Sequence, residues 1–372
     1  MNGLRILAAL AFAVLMSMPL AARPVLISAQ PIAGAPAGAR AYEIRYRSTG
    51  VQSQPIETTG VIIVPAQPAQ TGGRDVIAWA HGTSGIADAC APTHNDWMFG
   101  SIAGLDAMLA RGFVVVATDY EGLGTPGPHP YLIGTSAARS VLDAVRAARE
   151  LKAAQTSARF VVWGESQGGH AALWTGQLAG RYAPDLQLMG VAAAAPPTDL
   201  KANLTGNSNA GVRALLTAFT AESWHETYGI PLATITRPIG SDLIRRLAAN
   251  CVTLDGFKLR TKIGLMRLIG QLRGVDLAAS PRWAALMRAN SVAPMRIGAP
   301  MLIAQGDKDI IVAPGVTRSF VGQSCRAGQP LRFITLADGD HITIAKRTAA
   351  ATLEWIGDRF GGKPAASDCA SL

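Results

Sequence analysis

Charged residues are scarce in this chain: Asp, Glu, Lys and Arg make up 16% of 372 residues, against 49% hydrophobic. That balance excludes a disordered, solvating polymer and calls for a sizeable core. Long apolar runs are lacking too. The N-terminal stretch Ile6–Met18 spans thirteen residues, short of the roughly 20 that a membrane-crossing helix needs, and no stop-transfer pattern follows. There are only four cysteines, Cys90, Cys251, Cys325 and Cys369, and no two have metal-ligand spacing. Basic residues are not interleaved with aromatics, which make up only 6% of the chain, and no recognition motif is present; nucleic acid is not expected as a partner. No residue cluster implies a metal or an organic cofactor, and there is no internal repeat.

What is present begins with an address. Met1–Arg5 is a short positive start, the apolar stretch follows, and Pro19-Leu-Ala-Ala22 offers small residues for cleavage. The expectation is a signal peptide over 1–22 and an exported protein, secreted or periplasmic, with no transmembrane segment in the mature chain. In an oxidising compartment the four cysteines read as two disulfides rather than a zinc site, with three pairings open. About 350 residues remain, enough for one large domain with an insertion. Of the net charge of +9, residues 201–295 carry +7, from 12 basic and 5 acidic side chains. Such a surface is either a solvated face or a contact for anionic lipid or acidic polysaccharide.

Along the chain, 42–46, 58–64, 75–81 and 113–120 read as strands, with a helix expected over 97–110 and an amphipathic one over 136–149. Strands follow at 188–195, 300–306 and 331–336, and a final helix at 344–360. Strand and helix alternating with short joints predict right-handed crossovers and a mostly parallel sheet covered on both faces. Between 201 and 295 the alternation stops. Only helical stretches appear there, at 212–220, 241–249, 261–272 and 280–289.

The organising stretch is Phe160-Val-Val-Trp-Gly-Glu-Ser-Gln-Gly-Gly-His-Ala-Ala-Leu173. An apolar strand stops at a glycine, turns through Ser166 and restarts as a helix, the order that a nucleophile elbow requires. The Gly-x-Ser-x-Gly pattern alone is weak, since about 0.2 occurrences are expected by chance in such a composition; the flanking strand and helix give it weight. A serine hydroxyl is a poor nucleophile at its own pKa and needs a general base. In the chain order of this fold an acid and then a histidine follow the serine. His81, His94 and His129 precede Ser166, His170 lies one turn up its helix, and His225 sits in the helical stretch. His341, in the turn-rich Ala337-Asp-Gly-Asp-His341, is the expected base. The acid belongs on Gly306-Asp-Lys-Asp-Ile-Ile-Val-Ala-Pro314, where Asp307 and Asp309 both qualify and the spacing favours Asp309. The oxyanion donors are expected at Gln167, after the nucleophile, and at Thr83 in His81-Gly-Thr83. Activity should fall as His341 protonates at mildly acid pH, because the base must be neutral.

With these residues assembled, the chain resembles the secretory lipase family of α/β-hydrolases, in its lipase A-like, bacterial exported branch. The resemblance covers nearly everything after residue 40. It rests on Ala80-His-Gly-Thr-Ser-Gly85 with Cys90-Ala-Pro-Thr93, on Asp119-Tyr-Glu-Gly-Leu-Gly124, on Val141-Leu-Asp-Ala-Val-Arg146 and on Tyr182-Ala-Pro-Asp-Leu186. It implies an α/β-hydrolase fold: a mostly parallel central sheet with helices on both faces and an inserted helical cap. The divisions are then 1–22 signal peptide, 23–200 core, 201–295 cap and 296–372 core. It also implies a carboxylic-ester hydrolase of lipase or esterase type, a small-molecule or lipid ester substrate, and disulfides Cys90–Cys251 and Cys325–Cys369. Two positions depart from the family's pattern. The loop reads His81-Gly-Thr83 where some members carry an acidic side chain, and Glu165 stands where an aromatic residue is often seen. An acyltransferase or amide-cleaving peptidase on the same scaffold is the alternative, with a non-catalytic binding module further off.

Overall fold

The computed structural model describes residues 25–206, 209–252 and 259–371; the expected signal peptide lies outside the described residues. Nine strands form one sheet in the order β1-β2-β3-β5-β4-β6-β7-β8-β9. They are β1 Leu26–Ile32, β2 Ala39–Thr49, β3 Pro55–Pro65, β4 Arg74–Ala80, β5 Val114–Thr118, β6 Thr156–Glu165, β7 Gln187–Ala194, β8 Met301–Gly306 and β9 Leu331–Leu336. From β5 to β9 every neighbouring pair is parallel, while β1, β2 and β3 add an antiparallel edge.

Successive strand residues point to opposite faces, so a strand buried on both sides reads as an unbroken apolar run. Phe160 and Val162 of β6 enter one core with Val114 and Val116 of β5; Val161 and Trp163 enter the other with Val115 and Ala117. The first face is covered by α3 Gly134–Glu150 and α4 Gln167–Tyr182.

Before α3 comes a departure from expectation. The helix read over 97–110 is two pieces, α1 Met98–Ser101 and α2 Leu105–Ala110. Gly104 breaks it at φ +73°, a left-handed conformation that glycine adopts without penalty, with the Leu353 side chain close above its α-carbon.

Between β7 and β8 the described chain is helical: α5 Leu200–Thr205, α6 Ala210–Tyr228, α7 Pro238–Ala248, α8 Leu259–Gln271 and α9 Pro281–Asn290. These helices enclose a third core around Phe219, Trp224, Trp283 and Met287, joined by Tyr131 and Ile133 from the loop before α3. Within α8, Leu268 is buried in that core whereas Ile263 and Met266 are exposed. Beyond β8 come α10 Pro314–Arg326, α11 Ile344–Arg347 and α12 Ala349–Phe360. The single closing helix expected over 344–360 is thus divided at Thr348, whose hydroxyl donates back to the Ile344 carbonyl at 2.7 Å. Among the described residues no helix is long and apolar enough to cross a membrane.

Two disulfides tie distant parts together. Cys90–Cys251 spans 161 residues and joins the loop after β4 to the helical segment; Cys325–Cys369 spans 44 and holds the C-terminal tail to α10. By the loop-entropy account each restrains the unfolded chain. Replacing Cys90 and Cys251 together by Ala is expected to lower stability by about 5 kcal/mol, and Cys325 with Cys369 by about 4 kcal/mol. Urea midpoints at unchanged slope measure this; losses under about 1 kcal/mol would show that the cross-links constrain little.

Candidate active site

Parallel strands gather their carboxyl-end loops along one rim, and ligands bind where the strand order reverses. Here β4 lies between β5 and β6. The loop after β4 and the turn after β6 are therefore neighbours. That turn is tight enough to exclude side chains: a Cβ on Gly168 would stand 1.8 Å from the Ala80 carbonyl oxygen, and one on Gly164 would meet the Gly168 carbonyl at 2.2 Å. Between them Ser166 is held at φ 53°, ψ −119°, its amide bonded to the Ala194 carbonyl at 2.9 Å. A non-glycine residue there costs on the order of 1–3 kcal/mol, and the packed glycines sustain it. Ser166 also caps α4, at the positive end of that helix. Gln167 is the first helical residue, so its N–H has no carbonyl one turn back within the helix.

The Ser166 hydroxyl donates to His341 Nε2 at 2.8 Å, and His341 Nδ1–H donates to Asp309 Oδ2 at 2.8 Å. Both partners are buried. Asp309 follows β8 and is held by four donors. Oδ1 accepts the amides of Ile311 and Val312, each at 2.8 Å, and Oδ2 accepts Gln305 Nε2 at 3.0 Å besides His341. Asp307 instead pairs with Arg318 at the surface. The structure thus brings Ser166, Asp309 and His341 together and leaves Asp307 outside.

Thr83 lies on the loop after β4, and its hydroxyl shares a hydrogen bond of 2.8 Å with the Tyr131 phenol. The Gln167 side chain donates to His129 Nε2 at 3.0 Å, and His129 Nδ1–H in turn donates to the Glu121 carbonyl at 2.8 Å. Burial pushes His129 and His81 down to about 4, so both are neutral near pH 7, and His129 has the lone pair that the Gln167 amide needs. His81 donates from Nδ1 to the Gly82 carbonyl at 2.6 Å and lies 4.5 Å from the Tyr120 ring, which steadies the loop. His170 donates from Nε2 to the Asn290 carbonyl at 2.7 Å and anchors α4 to α9.

The motifs that carried the resemblance are joined to one another. Asp119 accepts from the Thr93 amide and hydroxyl at 3.0 and 2.6 Å and from the Thr59 hydroxyl at 2.7 Å. Arg146 bridges Asp143 at 3.0 Å and Asp185, linking α3 to the end of α4. These are supports of the rim rather than reacting groups. Tyr131, His129 and Gln305 were not singled out as site residues from the sequence. The first two stand in the glycine- and proline-rich loop after β5, and the rim position of that loop was the one available sign. The helical segment is tied to the same rim. The Val252 amide donates to the Ser84 carbonyl at 2.8 Å, beside the Cys90–Cys251 bridge.

With this geometry in view, the sequence profile of the family described as Secretory lipase matches residues 101–368. The chain belongs to the secretory lipase family. With membership comes its class, the carboxylic-ester hydrolases. "Probable inactive lipase MT1628" of Mycobacterium tuberculosis is 25% identical over 345 residues, 87% of this chain and 74% of that protein. "Lipase 5" of Candida albicans is 28% identical over 278 residues, 70% of this chain but only 58% of its own length. Among solved structures, Candida antarctica lipase A in its closed state superposes with a TM-score of 0.74 at 19% identity, covering 92% of this chain and 84% of that one. The likeness shows the α/β-hydrolase fold.

Among the described residues, no group of three or more His, Cys, Asp and Glu side chains could hold a metal ion.

Proposed function

We propose that this secretory lipase is an exported serine hydrolase that cleaves acyl esters through an acyl-enzyme on Ser166. The observation that carries this reading is the unbroken chain from the Ser166 hydroxyl through His341 to Asp309, with both hydrogen bonds 2.8 Å long. As the serine oxygen attacks the ester carbonyl carbon, its proton passes to His341 Nε2, and Asp309 keeps the imidazole in the required tautomer and steadies the imidazolium. The amides of Gln167 and Thr83 receive the oxyanion, each commonly worth on the order of 10²–10³ in rate. The carbon–oxygen bond to the alcohol then breaks, and the leaving oxygen takes the proton from His341. Water repeats the sequence on the acyl-enzyme, releasing the acid and restoring the serine.

The helical segment 201–295 acts as the cap in this reading and receives the acyl chain, supported by its separate apolar core and its tether to the Thr83 loop. Its surplus of positive charge and the exposed Ile263 and Met266 suit contact with a lipid interface. Export is supported by the family's secretory character and by the two disulfides.

The test is an assay with p-nitrophenyl esters of graded chain length, the matching peptide amides, and added alcohol acceptors. Ester turnover should exceed amide turnover at every length, with free acid as the product. Dominant acyl transfer to alcohol would make the enzyme an acyltransferase, dominant amide cleavage a peptidase, and no turnover on any substrate would leave a binding module.

A further inference from the structure

We propose that Glu165 is a positioning residue for this reaction, a second carboxylate that acts through His341: ionised, it favours the imidazolium formed when Ser166 gives up its proton, and its own protonation withdraws that help. The proposal rests on the assignment of Ser166, Asp309 and His341 above.

Glu165 is the last residue of β6, held opposite Ala194 by the parallel ladder and followed at once by the strained serine. Its side chain turns back over the loop after β4. A Cβ on Gly82 would stand 3.5 Å from its Cγ and 3.6 Å from its Oε1, so the carboxyl occupies space that this glycine leaves free.

The buried carboxylates Asp309, Asp119 and Asp143 are each tied by several donors, whereas Glu165 is half-buried. Asp309 has four, Asp119 three, and Asp143 accepts from Ser48, Tyr182 and Arg146. Among the described residues no group donates a hydrogen bond to the Glu165 carboxyl. Its role is therefore not to fix a loop by hydrogen bonding. What remains is its charge.

The titratable groups around it are Tyr120, two residues past β5, with His81 tilted against that ring, Lys346 of α11, and His341, which bonds the hydroxyl of the very next residue. Burial keeps the Tyr120 phenol protonated, and His81, down at about 4, is neutral near pH 7. Lys346 is exposed to solvent, which screens it. The partner that gains a charge during the reaction is His341. Burial pushes the Glu165 carboxyl up to about 7, with the charges of His341 and Lys346 opposing that rise. A half-buried carboxylate with no protein donor does little to hold the fold, and sites of that kind are where function is to be sought.

The signs follow from the charges. An anion beside a base raises the base's hold on its proton, and removing it lowers that hold. Removing the charge at position 165 is therefore expected to move the acid limb of kcat/KM. Glu165→Gln keeps the shape and removes the charge. It should lower the plateau of kcat/KM above pH 8 by about tenfold and move the acid limb down by about one pH unit, the scale of one nearby charge. Glu165→Asp keeps the charge on a shorter stem. It should lie between the wild type and Gln on the plateau and leave the acid limb near its original place.

Rates are normalised to serine titrated with a phosphonate ester, so that misfolded protein does not enter. Packing alone predicts the reverse order, with Gln near the wild type and Asp worse. That order would overturn the proposal, as would a Gln variant whose plateau and acid limb match the wild type. Ser166→Ala run alongside separates the two levels of inference. If it retains turnover, the site assignment falls; if it is silent while Gln behaves as the wild type, only the role of Glu165 is lost.

Discussion

Ser166→Ala should lower kcat for a p-nitrophenyl ester on the order of 10⁴-fold or more, with the fold intact. The substitution removes one oxygen and the bond it donates to His341. It does not disturb what holds the turn, because the Ser166 amide still bonds the Ala194 carbonyl and Gly164 and Gly168 still pass the backbones at close quarters. Alanine is as strained at φ 53° as serine, so the melting temperature should change little. KM should also change little, since the hydroxyl acts in the transition state rather than in substrate binding. Residual activity would come from the amides of Gln167 and Thr83 acting on bound ester with water as the nucleophile. A variant that kept more than about a hundredth of wild-type kcat would remove Ser166 from the reaction. A variant that melted far lower would show that the hydroxyl supports the elbow itself.

The parts of this molecule that were legible in the sequence are those governed by local rules. Val114–Ala117 and Phe160–Trp163 announce central strands because burial on both faces favours an unbroken apolar run. The two elbow glycines mark a close approach that no side chain survives. Chain order pointed to His341, and the spacing of the loop after β8 favoured Asp309 over Asp307; His341 lies against the Ser166 hydroxyl and Asp309 against His341.

What was not legible depends on partners far away. β1, which carries Pro31 and is half exposed, is a strand because it pairs with β2, and its own pattern is too weak to say so. Gly104 breaks a periodic helix where the chain passes Leu353, some 250 residues on. α10 opens on Pro314-Gly315, residues that argue for a loop until its buried face of Thr317, Phe320, Val321 and Ser324 is seen. His129 and Tyr131 sit in a loop without periodicity, and their partners Gln167 and Thr83 are 38 and 48 residues away. Glu165 was visible as a departure from the family's pattern. That no protein group donates to its carboxyl is a property of the assembled rim alone.

Asp309→Asn should cost about 10⁴-fold in kcat, and Asp307→Asn no more than a few-fold. Asp309 presents one oxygen to two backbone amides and the other to Gln305 and His341, so all four of its neighbours are donors. An asparagine has only one acceptor end. Turned one way, its NH₂ meets the Gln305 amide and the imidazole, and His341 must carry its proton on Nε2, where it faces the Ser166 hydroxyl as a donor and cannot act as a base. Turned the other way, the NH₂ confronts the amides of Ile311 and Val312, and buried donors are left unsatisfied. Either orientation removes the anion that steadies the imidazolium. Asp307 has no such place, since it pairs with an exposed arginine, an interaction commonly worth about 0–1 kcal/mol. Steady-state kinetics of the two variants, with melting curves as a control on folding, make the comparison. A larger rate loss at Asp307 than at Asp309 would move the acid to the other carboxylate. Equal small losses would mean that His341 keeps its tautomer without a carboxylate's help.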